Sequence, residues 1–220
     1  MVGRKKKIRK VIFRRKTQEV DIKGEFSIDG RGKVKVNTGI EALDHLLTLF
    51  AFHGLFDLKL EAKGDLHHHL VEDIGIALGK AIKDALGDKF GINRYGSFSI
   101  VMDKVLVEAN IDISGRPTLH GVVTENCSSG ILSVEDFLRS KNLINQGFDN
   151  TSFSFKHAQE FLEALVNHSG ISLIYNIKSG EGDLHHILEA LFKALGKAMD
   201  YATQIDPRRK QIPSTKGIID

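Results

Sequence analysis

Two matched words of sequence carry donors suited to metal chemistry. His68-His69-Leu70-Val71-Glu72 and His185-His186-Ile187-Leu188-Glu189 both read His-His-x-x-Glu. On a helix, residues three and four apart share a face, so Glu72 can approach one cation together with His68 or His69, and Glu189 with His185 or His186. Neighbouring residues point about 100° apart on an ideal helix, so the two histidines of a pair are expected to serve different ions. Imidazole plus carboxylate suits Mn²⁺, Fe²⁺ or Zn²⁺, and the lack of cysteine ligands argues against a structural zinc cage. The single cysteine, Cys127, excludes an intramolecular disulfide and suits a reducing compartment. His67 has no counterpart in the second word, where Leu184 precedes the pair, and is read as dispensable.

The elements that must position these words are themselves repeated. Ala77-Leu78-Gly79-Lys80-Ala81 begins nine residues after His68, and the same five letters, at residues 194–198, begin nine residues after His185. Two shared words at one spacing define two homologous halves offset by 117 residues. Each half reads as a helix (39–52; 155–167), a strand (56–62; 171–178), a glycine-bearing turn and the His-His-x-x-Glu helix, whose apolar residues Leu70, Ile74, Ala77, Leu78, Ala81 and Ile82 recur at helical spacing. Further strands are expected over 7–13, 19–28 and 33–36, and in the second half over 97–113 and 118–123. This predicts an α+β fold by internal duplication: two units, each a small sheet with paired helices on one face, meeting through those helices. The domain reading is a basic arm at 1–13, a first half at 14–96, a second at 97–206 and a tail at 207–220.

The helix before each motif offers a further ligand. His45 lies 23 residues before His68. Aligning the halves through His53 and His168 places Glu160 opposite His45, with His157 about one turn earlier; both can coordinate a metal, and the sequence does not choose between them.

Composition narrows the class. The chain has 220 residues, 41% hydrophobic and 27% charged, an ordinary globular balance with no apolar run near the 20 or so residues that span a bilayer. No secretory signal is read at the N-terminus. The net charge of +3 conceals an asymmetry: residues 1–16 hold nine basic groups and no acid, leaving 22 basic against 28 acidic residues in the body. Such an arm can bind nucleic acid, but is read as a solvated tail or edge strand.

In order, the chain carries Arg15-Lys16-Thr17-Gln18-Glu19, Asp44-His45-Leu46-Leu47, Phe52-His53-Gly54, the first His-His-x-x-Glu running into Asp73, Leu86-Gly87-Asp88-Lys89, Arg94-Tyr95-Gly96 and Asp112-Ile113-Ser114-Gly115-Arg116-Pro117. It ends with the second motif running into Phe192-Lys193-Ala194, and with Pro213-Ser214-Thr215-Lys216-Gly217. This series, over about residues 14–218, resembles the imidazoleglycerol-phosphate dehydratase family. The resemblance implies a cytoplasmic Mn²⁺-dependent hydro-lyase of histidine biosynthesis with a ribosomal-protein-S5-domain-2-like fold. It implies a homo-oligomer, typically a 24-mer, with no nucleic-acid or membrane partner. Two Mn²⁺ per site would bind the imidazole of D-erythro-imidazoleglycerol phosphate as imidazolate while water is removed to give imidazole acetol phosphate. Carried over by position, His45, His68, His69, Glu72, His185, His186 and Glu189 are metal ligands, with Glu160 in the eighth place. Glu19 is the proton-transfer carboxylate, with Glu72 also counted as catalytic, and His53, Arg94, Arg116, Lys193, Ser214 and Lys216 hold the phosphate. The chain departs from the family in a turn about three residues shorter before His68, in Glu160 where a histidine is common, and in Lys104 where an acidic residue usually follows Asp103.

Overall fold

A computed structural model describes residues 8–124 and 133–219; Cys127 and the basic residues before Ile8 lie outside them. The first half contains β1 (Lys10–Lys16), β2 (Val20–Ser27), β3 (Val34–Asn37), α1 (Glu41–His53), β4 (Asp57–Gly64) and α2 (His67–Leu86). The second contains β5 (Tyr95–Met102), β6 (Val105–Asp112), β7 (Thr118–Val123), α3 (Val134–Ser140), a 3₁₀ turn (Phe148–Asn150), α4 (Phe155–Ser169), β8 (Ser172–Gly180) and α5 (Leu184–Thr203). The sheets have the orders β1-β2-β4-β3 and β5-β6-β8-β7. In both, the first three strands are antiparallel and the last pair, β3 with β4 and β7 with β8, is parallel. The expected pair of duplicated α+β units is therefore present.

The strand expected over 97–113 is a hairpin. It turns at Asp103 and Lys104, where Asp103 takes a positive φ of 52°, because a two-residue turn in that region matches the twist of the flanking strands. The strand read over 7–13 runs instead from Lys10 to Lys16, so residues 10–13, read as part of an arm, lie in the edge strand of the first sheet. Cations of residues 9–16 meet acids of β2, of the bend after it and of α2: Lys10 with Glu25, Arg14 and Lys16 with Asp21, Arg9 with Asp29 and Arg15 with Asp73.

The halves join through crossed helix pairs. The second helix of each half packs against the first helix of the other, α2 on α4 and α5 on α1. Glycine permits the contact: a Cβ at Gly79 would sit 2.6 Å from the Leu165 carbonyl oxygen, and one at Gly196 would sit 2.3 Å from that of Phe50. Gly79 and Gly196 are the shared glycines of the repeated five-letter word, and Phe50 stands to Leu165 as His45 stands to Glu160, so the pseudo-symmetric packing agrees with the pairing made from sequence. The interior between the sheets is aliphatic with Phe26, Phe50, Phe56, Phe161 and Phe192. Among the described residues no helix is long and apolar enough to cross a membrane.

Candidate metal centre

The crossing of α5 with α1 sets the geometry of the half-two centre. His185 and Glu189 lie one turn apart at the start of α5, and α1 brings His45 beside them. His45 Nε2 is 2.5 Å and His185 Nε2 is 3.1 Å from Glu189 Oε1. The three ligand atoms lie within 4.8 Å of one another, a spacing that three donors at about 2.1 Å from one divalent ion can adopt with small rotamer changes. Lys193, one turn further along α5, donates to the other Glu189 oxygen at 2.6 Å. Burial would raise the Glu189 carboxyl, but its bonds from Lys193 and His45 hold it down at about 2. The site therefore presents a permanent carboxylate to its imidazoles. Among the described residues this is the one trio of histidine, cysteine or acid side chains so gathered.

A segment with no counterpart in the first half closes over this centre. Phe148 stacks on His185 with ring centroids 4.5 Å apart, and Asp149 Oδ1 lies 2.9 Å from the buried His185 Nδ1, off the hydrogen-bond direction. Gln146 Oε1 accepts the Leu184 N–H at the start of α5. Nothing in the motifs marked this cover; an aromatic and an acid before α4 were its only trace.

The half-one counterpart is more open. His68 and Glu72 are exposed on the first turns of α2, and Glu160, on α4, pairs with Lys156 at 3.7 Å; the three are not drawn into a comparable trio. His157 Nδ1 accepts the Ser154 N–H in a capping box, so one of its two ring nitrogens already serves the helix end.

The second histidine of each pair meets its own set of acids, although the His68 and His69 rings touch, with centroids 4.2 Å apart. His69 Nδ1 is 3.0 Å from Asp65 Oδ1 and 3.8 Å from Glu19 Oε2. His186 Nδ1 is 2.7 Å from Asp183 Oδ1, and its Nε2 is 3.1 Å from Asp103 Oδ2. Glu19 sits in the turn between β1 and β2, where Thr17 Oγ1 accepts its N–H and its own carbonyl accepts the Asp65 N–H. The Asp65 bond raises the His69 imidazole above its ordinary range. Motif reading missed Asp65, Asp103 and Asp183; an acid two or three residues ahead of each histidine pair was the available signal for Asp65 and Asp183, and Asp103 had none.

The cationic residues expected to hold phosphate fall into two groups. Lys193 and His53 lie beside the trio, and burial followed by the charges of Lys193 and Lys197 holds the His53 imidazole below its ordinary value. The others lie at the far end of the same half. Arg94 donates to both oxygens of Asp112 and to the Pro213 carbonyl, which docks the tail. Arg116 is exposed after its Ser114–Gly115 turn, Ser214 is half-buried and Lys216 is exposed. Arg94 N–H bonds the Ala202 carbonyl near the end of α5, thirteen residues past Glu189; at 1.5 Å per residue that is about 20 Å of helix.

Fold and site together define a class: a duplicated α+β chain with an imidazole–carboxylate centre fitted to a divalent cation. A family model described as imidazoleglycerol-phosphate dehydratase matches residues 38–199. The imidazoleglycerol-phosphate dehydratase of Pelobacter propionicus is 46% identical over 215 residues, covering 96% of this chain and 99% of that protein. That of Thermoanaerobacter sp. is 45% identical, covering 96% and 100%. Among solved structures, the Staphylococcus aureus enzyme matches with a TM-score of 0.71 at 30% identity, over 89% of this chain and 100% of its own. The Pyrococcus furiosus enzyme, in complex with (S)-C348, matches with 0.72 at 33%, over 93% and 99%. The chain belongs to the imidazoleglycerol-phosphate dehydratase family.

Proposed function

We propose that this chain removes water from D-erythro-imidazoleglycerol phosphate to give imidazole acetol phosphate, as a cytoplasmic Mn²⁺-dependent enzyme of histidine biosynthesis. Besides family membership, the observation that carries the reading is the trio of His45, His185 and Glu189, whose donors suit Mn²⁺. His45, His185 and Glu189 would hold one ion. His68, Glu72 and Glu160 are their pseudo-symmetric counterparts, and His69 and His186 supply the remaining donors. Glu160 is preferred to His157 because it occupies the place of His45 in the crossed pair. Bound cations would supply the electron sink that a proton beside an imidazole ring otherwise lacks.

The chain's own side chains do the rest. Glu19 stands 3.8 Å from His69, placing a carboxylate beside the ligand-bearing face for proton transfer; Glu72 shares that face. Lys193 and His53 put a cation and an imidazole at the rim of the trio. Arg116, Ser214 and Lys216 offer donors for a phosphate, and Arg94 anchors the tail that carries two of them.

Within one chain about 20 Å of α5 separates the trio from the Ala202 carbonyl that holds Arg94 and, through it, the tail, a span we take as too long for one small substrate to bridge. A complete site therefore draws the two sets from different copies, in keeping with a homo-oligomer, proposed here as a 24-mer. The deciding experiment is metal analysis of the purified protein followed by an assay of water elimination from the named substrate. Elimination that needs Mn²⁺ and stops on chelation supports the reading. Release of inorganic phosphate instead would identify a two-metal hydrolase.

A further inference from the structure

We propose that Asp65 and Asp183 are positioning residues that act through the second histidine of each pair, holding His69 and His186 with Nδ1 as donor so that Nε2 keeps its lone pair for a divalent cation. The inference rests on the metal reading above and deepens it. A carboxylate can only accept, so an imidazole nitrogen 3.0 Å from Asp65 Oδ1 and another 2.7 Å from Asp183 Oδ1 must each carry the proton. In a neutral ring the other nitrogen is then bare. Such carboxylate–histidine pairs fix the tautomer and ring orientation of metal-binding imidazoles.

The two halves reach this arrangement from different registers, which argues against a by-product of helix capping. Asp183 lies three residues before His186 and is the N-cap of α5, its Oδ1 also accepting the His186 N–H. Asp65 lies four residues before His69 and one before Leu66, the N-cap of α2; its Oδ1 also accepts the Leu66 N–H at 2.7 Å, outside the first turn of the helix. The half-one turn is the shortened one, yet an aspartate still arrives at the same ring nitrogen. Asp103 meets His186 from the other side, 3.1 Å from Nε2. It is 76% exposed on the β5–β6 turn, so it can leave that nitrogen when a cation arrives.

The test is Mn²⁺ titration of the chelator-stripped full chain, read by the paramagnetic resonance of the free ion, with thermal melts of the same metal-free samples. Asp183→Ser keeps a capping oxygen while removing the carboxylate, and Asp65→Ser likewise keeps an oxygen for the Leu66 N–H. Each is expected to weaken Mn²⁺ binding about 10- to 100-fold while the melt stays close to wild type. In a His186→Ala background, Asp183→Ser is expected to cause no further loss, since it acts through that ring. Wild-type affinity in both variants would overturn the inference and leave the metal reading intact. So would equal losses with and without His186, or a loss confined to Asp103→Asn. A wild-type chain that binds no Mn²⁺ would overturn both.

Discussion

Glu189 shows how a single residue couples the pieces of this site. It contacts two imidazoles and an ammonium group, and its carboxyl is held at about 2, so it remains an anion at neutral pH. Its removal should therefore be felt first as lost metal: Glu189→Gln is expected to lower bound Mn²⁺ at least tenfold, measured by elemental analysis after dialysis. Glu19 should behave differently. If it transfers the proton, as proposed above, its replacement by Gln is expected to lower kcat by about 10²- to 10⁴-fold, with metal content and the thermal melt unchanged. His53 supplies a pH signature. Its imidazole is held below its ordinary value by burial and by nearby lysines, so the fold favours the neutral ring. That contribution is fully present above the ordinary histidine range and is lost as pH falls through the depressed value. The His53 contribution to the stability of the metal-free protein should thus fall on acidification below about pH 6.5, and His53→Gln should remove that component when melts are compared across pH.

At the scale of elements, the repeated word is a packing device. The glycine shared by its two copies stands where two helix backbones nearly touch, and a methyl group there meets a carbonyl oxygen that cannot move aside. Gly196→Ala and Gly79→Ala are each expected to cost about 1–3 kcal/mol as an overpacking penalty, measured by denaturant titration. The Arg15–Asp73 pair ties the edge strand to α2 at 2.6 Å, with Asp73 nearly buried; Arg15→Ala strands that carboxylate and should cost about 3 kcal/mol.

These elements also explain what could be read in advance. The His-His-x-x-Glu helices were legible because an exact repeat and a 3.6-residue pattern coincide there. The match of Glu160 with His45 was legible because both are fixed by distance from a shared histidine. The cover over His185 was not, because Phe148 and Asp149 belong to an unrepeated, aperiodic stretch whose packing is decided by contacts distant in sequence. The β5–β6 turn was hidden because its two residues are not the glycine or asparagine that usually announce such a turn, and the aspartates on His69 and His186 because acids near helix starts are common for other reasons.

For the whole molecule, the distance between the trio and the Arg116–Lys216 end makes a prediction about mixtures. A chain altered at the metal set (His185→Ala) and one altered at the phosphate set (Arg116→Ala) should each be nearly inactive alone. If a site is completed by two copies, co-expressing them restores part of the activity, because some pairings unite two undamaged sets. Recovery of none, with mixed particles verified by differential tags, would place the whole site within one chain.

The exchange of helices across the pseudo-twofold has a further consequence for the chain's autonomy. Each sheet rests on helices whose inner faces are completed only by the other half, so a fragment ending near residue 93 would bare the groove beside Gly75 and Gly79. Its least costly remedy is a twin: two such fragments trading α1 and α2 would rebuild a likeness of the intact molecule, with His45 in every place that Glu160 now holds.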